Sequence, residues 1–225
     1  MKSLKNSLLI IPIVLSSAAL KPPAIADHGH IGSNKRLAAR VVLDYKGSVT
    51  GAYSMGIGIQ VTIDTLVGVR YEVTLTGAIN SHMALFYKFS NPKQTIFYNF
   101  ITHKSYVNKE SNSPDSDPNV AVIGTEAIGA YSCTRLQHGA GTHEISDYWM
   151  SSQVPGFSEL VNALKNISAD LPGMAFNGTI FRWGGLVKMK IVDTEEKGNL
   201  TMNLHLDNAK INIPLRLGTF EVPSK

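Results

Sequence analysis

The sequence predicts a mainly β domain with a minor helical part, an α+β fold built on one large antiparallel sheet. Three observations predict it. Apolar and polar residues alternate in several separate stretches, clusters of turn-forming residues separate those stretches, and a single segment of the chain has strong helical spacing. Alternation with period two leaves one face apolar and the other wet. Parallel strands are covered on both sides and read as continuous apolar runs, so alternation points to antiparallel pairing.

The chain opens with a segment that has nothing to do with the fold. Lys2 and Lys5 precede an apolar run from Leu8 to Leu20, and Ala24-Ile25-Ala26 supplies the small residues of a signal-peptidase site. Residues 1–26 are therefore expected to be a signal peptide and 27–36 a flexible tail. The run is too short for the roughly 20 residues that cross a bilayer, and Pro12 interrupts it. No cysteine stands near the expected cleavage site to receive a lipid, which predicts a soluble secreted or periplasmic product.

Charge is then nearly balanced. The full chain has 21 Lys+Arg and 17 Asp+Glu, and loss of Lys2, Lys5 and Lys21 brings the count to 18 against 17. A chain of that kind, without long basic runs, lacks the electrostatic footprint of a nucleic-acid binder. Cys133 is the single cysteine, so no intramolecular disulfide can form and stability has to come from burial.

Residues 37–225 are long enough for one domain with a sizeable core. Ile57, Ile59, Val61 and Ile63 alternate with Gly58, Gln60, Thr62 and Asp64, followed by Tyr71, Val73 and Leu75 against Glu72, Thr74 and Thr76. Ser90-Asn91-Pro92-Lys93 is a turn into an aromatic strand containing Ile96, Phe97, Tyr98 and Phe100. Residues 108–119 shift to Ser, Asn, Asp and Pro and are expected to form a long surface loop between two halves of one sheet. His138-Gly139-Ala140-Gly141-Thr142 reads as a hairpin tip, and 195–199 as another. Val187, Met189 and Ile191, then Met202, Leu204 and Leu206, resume the alternation, and Ile211, Ile213, Leu215 and Leu217 continue it. The helix is expected where Phe157, Leu160, Val161, Leu164 and Ile167 fall on one stripe, with Pro155 or Gly156 at its start and Pro172 beyond its end.

One helix cannot cover such a sheet. About 12 residues make a cylinder roughly 18 Å long and 10 Å across, whereas eight or more strands span close to 38 Å, at about 4.8 Å each. Leaving the rest exposed would create an apolar patch larger than soluble monomers tolerate. Three solutions follow: a closed barrel, a dimer, or a half-barrel whose concavity takes an apolar guest.

The stretch 124–150, GTEAIGAYSCTRLQHGAGTHEISDYWM, carries a resemblance that bears on this choice. Gly124, Thr125, Ile128, Tyr131, Cys133 and Trp149, then Gly156-Phe157-Ser158-Glu159-Leu160 and finally Phe220-Glu221-Val222-Pro223, resemble the signature of a bacterial domain-of-unknown-function family related to the periplasmic lipoprotein carriers (LolA/LolB-like). The likeness covers the chain after Val120 well and the part before it only in style. It departs at the end, where the family continues into Gly-Tyr and this chain stops at Ser224-Lys225, and at Gly129, which Ala130 separates from Tyr131. The resemblance implies a strongly curved antiparallel sheet forming a half-open barrel, with one main helix plugging the concave side.

The expected site is then a hydrophobic groove lined by Ile59, Val61, Ile63, Val73, Tyr131, Trp149, Met189 and Leu204, with Phe157, Leu160 and Leu164 as a lid. Its guest would be a lipid or another hydrophobic small molecule, with envelope lipoproteins or the membrane as further partners, and such a carrier is expected to be monomeric. No catalytic group, cofactor or metal is assigned. The bland reading of the same residues is ordinary core packing, and the rival class is a non-catalytic structural or interaction module of the cell envelope. A hydrolase is the third reading. Ala52-Tyr53-Ser54-Met55-Gly56 resembles a nucleophile elbow, but that needs a helix after Ser54 and a strand pattern follows. Cys133 beside His138 or His143 reads more readily as a buried small hydrophobe. His28 and His30 near the expected new terminus could hold copper or nickel but sit in a polar tail, and the Asn-x-Ser/Thr sequons at Asn166, Asn177 and Asn199 are chance matches in a bacterial product.

Overall fold

The computed structural model describes residues 40–91, 94–108, 120–139, 142–156, 183–194 and 199–223. The expected signal peptide, the tail, most of the 108–119 loop and the expected helix with Phe157, Leu160 and Leu164 lie outside the described residues. Eleven strands form one antiparallel sheet: β1 Arg40–Thr50, β2 Met55–Asp64, β3 Gly68–Gly77, β4 Ser81–Lys88, β5 Thr95–Asn99, β6 Lys104–Asn108, β7 Ala121–Ile128, β8 Tyr131–His138, β9 Glu144–Ser151, β10 Gly185–Asp193 and β11 Leu200–Ile211.

Their order, β6-β5-β4-β3-β2-β1-β11-β10-β9-β8-β7, follows from two meanders. The first runs outward from β1 to β6; the second starts at the far edge with β7 and returns to β11. They meet where β1 pairs with β11 over Val41↔Ile211 to Thr50↔Thr201. The sheet is open, since β6 and β7 are its two edges and are not paired with each other.

Alternation sets the registers in the centre. Ile63, Val61, Ile59 and Ile57 of β2 stand opposite Val41, Leu43, Tyr45 and Gly47 of β1 on one side and Val69, Tyr71, Val73 and Leu75 of β3 on the other. A slip of one residue would turn all of these to the polar face. Three bulges interrupt the ladders, with Asp207, Val187 and Ile123 as the extra residues. Gly129, at φ 58°, makes the two-residue turn with Ala130 between β7 and β8 that a tight hairpin requires.

The structure corrects one sequence expectation. The alternation of Ile213, Leu215 and Leu217 is not a strand: β11 ends at Ile211, and Leu217 is fully exposed. Asn212 takes a left-handed φ of 54° and Pro214 has no N–H to give a ladder, so pairing stops there. The segment turns back over the sheet instead, where Phe220 is buried.

Candidate functional site

The site is assembled from one face of the sheet. Tracing the registers from β4 through β9 places Leu85 and Tyr87, Val69 and Tyr71, Ile59, Val61 and Ile63, Val41, Leu43 and Tyr45, Met202 and Leu204, Met189 and Ile191, and Tyr148 and Met150 on it. All are buried and belong to one contiguous cluster. We call this the inner face. In β1 to β5 and β8 to β11 no lysine or arginine points to it by register, whereas Arg40, Lys46, Arg70, Lys88, Arg135, Lys188, Lys190 and Lys210 all fall on the outer face.

Of the residues the sequence nominated, Ile59, Val61, Ile63, Val73, Met189 and Leu204 share the inner face. Ile59 pairs with Val73, and Leu204 with Met189. Trp149 is buried in the same cluster but does not share their face by register. Its neighbour Tyr148 faces inward opposite Met189, so alternation turns Trp149 outward, where it lies between the cations of Lys188 and Arg135, 4.5 and 5.2 Å from its ring centre, and its Nε1 donates to Glu126. Tyr131 begins β8 beyond the last residue paired with β9 and packs against the main cluster from there.

Sequence reasoning missed the hydroxyls. Tyr45, Tyr71, Tyr87 and Tyr148 all enter the inner cluster. Tyr45 Oη donates to the Leu186 carbonyl at 3.3 Å. The hydroxyl oxygens of Tyr87 and Tyr148 are buried without a hydrogen-bond partner. Burial raises the pKa of all four, assisted at Tyr45 by Tyr71 and Tyr131, and pushes Tyr148 up to about 12 against the smaller, opposing influence of Ser146. A tyrosine inside an apolar run was the available signal, at Tyr87 in Ala84-Leu85-Phe86-Tyr87 and at Tyr148 beside Trp149.

The outer face is built differently. Asp147 accepts from Arg135 at 3.0 Å and from Gln137 at 3.1 Å. Glu72 accepts from Arg70 and pairs with His82 at 2.6 Å, and His82 stacks on Phe100. Over β4 and β5, Phe220 and Val222 meet Phe86 and Ile96 around a cleft of about 290 Å³.

The hydrolase candidates are placed plainly. Ser54 directly precedes strand β2, which lacks the helix an elbow needs. Cys133 is buried, its thiol pKa raised by that burial, and its Sγ contacts the Tyr131 carbonyl at 3.7 Å. Among the described residues, no group of three or more His, Cys, Asp or Glu stands together, and no helix is long and apolar enough to cross a membrane.

The signature of the domain-of-unknown-function family DUF4412 matches residues 79–225, from the start of β4 to the C-terminus. The chain belongs to this family. No curated protein matches it. Among solved structures the chain is similar to an uncharacterized conserved protein from Thermus thermophilus, at 9% identity and a TM-score of 0.46 over 85% of this chain and 89% of that one. It is also similar to a putative outer membrane lipoprotein-sorting protein domain from Vibrio parahaemolyticus, at 7% identity and a TM-score of 0.35 over 81% and 89%. A LolA superfamily protein from Nitrosomonas europaea gives 9% and 0.30 over 78% and 87%.

Proposed function

We propose that this DUF4412 protein is a periplasmic or secreted carrier that binds a lipid or acyl chain against the inner face of a strongly curved half-barrel. The observation that carries the reading is the inner face itself, an apolar surface continuous over nine strands from which lysine and arginine are excluded by register. Burying an acyl chain there contributes about 0.8 kcal/mol per methylene, so a modest chain binds usefully.

Curvature is supported by chain length. Flat, eleven strands would put β6 and β7 about 48 Å apart. The connection from Asn108 to Ala121 reaches about 45 Å only when fully stretched, and it contains Pro114 and Pro118. That leaves the chain no slack, which favours edges bent toward each other. Bulges in β7, β10 and β11 supply local bending, as does Gly47, where a Cβ would lie 1.9 Å from the Asn203 carbonyl oxygen. The proposed lid is the segment carrying Phe157, Leu160 and Leu164.

Delipidated protein is expected to take up a fluorescent fatty acid with one saturable site, competed by detergent-extracted envelope lipid. Absence of uptake, together with a dimeric mass by size exclusion at micromolar concentration, would favour the rival in which self-association covers the same face.

A further inference from the structure

The inner face is apolar, yet it holds two hydroxyl groups with nothing to bond to. Tyr87 and Tyr148 are 1% and 0% exposed, and neither Oη has a hydrogen-bond partner. Leaving such a donor unsatisfied costs about 1–3 kcal/mol, whereas a phenylalanine would fill almost the same space without that cost. Ser146, whose own hydroxyl donates to Glu144 Oε1 at 3.5 Å, acts on the Tyr148 hydroxyl as a weak hydrogen-bonding neighbour, but it does not reach hydrogen-bonding geometry with it. The main cluster thus keeps donors that packing alone does not require.

We propose that the guest presents neutral acyl-ester carbonyls, which accept hydrogen bonds from the hydroxyls of Tyr87 and Tyr148. This rests on the apolar-guest reading above and narrows the guest's chemistry. Three arguments favour a neutral ester. A buried phenol whose ionisation is opposed by its surroundings donates and stays uncharged. Over β1 to β5 and β8 to β11 a free carboxylate would meet no lysine or arginine by register, Lys104 on the edge strand β6 being the one inward lysine or arginine of the described strands, and burying an unpaired charge is far more costly than burying a carbonyl. A bare hydrocarbon would leave both donors as they are. Tyr87 lies on β4 and Tyr148 on β9, six strands apart in the sheet, so one ester group does not serve both. A diacyl ester lipid supplies two.

The test compares dipalmitoylglycerol with its diether analogue dihexadecylglycerol, which has the same chains without carbonyls, and with palmitate, each competing against a fluorescent probe on delipidated full-length protein. The native protein is expected to bind the diester about 25-fold more tightly than the diether, at about fivefold per hydrogen bond. Tyr87→Phe and Tyr148→Phe should each remove about one fivefold step, and the double variant should bind both lipids alike while retaining the native affinity for the diether, which also shows that it is folded. In the native complex, the infrared stretch of a ¹³C-labelled ester carbonyl should shift to lower frequency. Equal binding of diester and diether by the native protein, an unshifted carbonyl band, or a diester preference that survives in the double variant would overturn the ester proposal while leaving the apolar-guest reading standing. Failure of all three lipids to bind would overturn both.

Discussion

Strand β4 is apolar on both sides, and the two sides are covered in different ways. Ala84 and Phe86 point to the outer face, where the C-terminal segment lies on them: Phe220 and Val222 meet Phe86 and Ile96, Lys88 pairs with Glu221 at 2.7 Å, and Arg70 donates to the Thr219 carbonyl at 3.4 Å. Leu85 and Tyr87 point to the inner face and join a cluster that runs across to β8. The outer cover is short, anchored by charges and belongs to the chain's own end. From β5 across to β8 the inner face carries no lysine or arginine by register, and it holds the unpartnered hydroxyls of Tyr87 and Tyr148. Two apolar surfaces of one strand are thus covered differently, the outer one by a strap of the C-terminal segment and the inner one by the main cluster, where we propose the guest binds.

Alkaline titration separates the faces most strongly. The inner tyrosines Tyr45, Tyr71 and Tyr148 have pKa values raised by burial, so above about pH 10 the unfolded chain loses phenol protons that the folded chain keeps. Their contribution is fully present below about pH 10 and is lost as pH rises toward the folded values, at up to about 1.4 kcal/mol per pH unit for each tyrosine. Urea unfolding between about pH 9 and 11 should show this steep loss, and Tyr45→Phe or Tyr71→Phe should make it shallower. A profile that stays flat would mean that the tyrosines are not held inside.

Truncating side chains on the two faces should give smaller and distinct effects. Leu204→Ala, in the middle of the inner face, is expected to cost about 4 kcal/mol in urea unfolding and also to weaken lipid uptake. Phe220→Ala, in the strap, is expected to cost about 3 kcal/mol and to leave uptake unchanged. Loss of uptake in the Phe220 variant would erase the division of labour between the faces.

The sequence was most readable where one face is wet. In the middle of β2, β3 and β11 the inward residues Ile57, Ile59, Val61, Tyr71, Val73, Met202 and Leu204 are each followed by Gly, Gln, Thr, Glu, Asn or His, and the pattern alone set the strands and the shared face of Ile59, Val61, Ile63, Val73 and Leu204. It failed where both faces are covered. In β9, Ser146 to Ser151 are all buried, so the rule that apolar means inward gave no way to choose between Tyr148 and Trp149, and the larger ring was chosen although its flanking cations hold it outside. At the C-terminus the pattern persisted after pairing had ended, because alternation records which side chains are apolar and says nothing of whether Asn212 and Pro214 permit a ladder. The unmatched hydroxyls were beyond reach for another reason. Whether a tyrosine is satisfied depends on groups from other strands, as Tyr45 is by the Leu186 carbonyl, and no local window contains them.

The smallest effect lies on the outer face and tests how little its exposed charges matter. The bulge residue Asp207 holds Lys46 at 2.8 Å; this hydrogen bond lowers the carboxyl pKa and raises that of the ammonium. The pair therefore contributes throughout the neutral range. Its contribution disappears as pH falls through the lowered Asp207 value, where the carboxylate is protonated, and again as pH rises through the raised Lys46 value, where the ammonium loses its charge. Both groups are open to water, which screens their attraction. Lys46→Met should lower Tm only slightly at neutral pH and low ionic strength, and the difference should vanish in about 1 M salt, where the screening length is about 3 Å. A large difference that persists in salt would mean that the bulge at Asp207 depends on this ion pair, and that the outer face contributes to the bending we propose for the sheet.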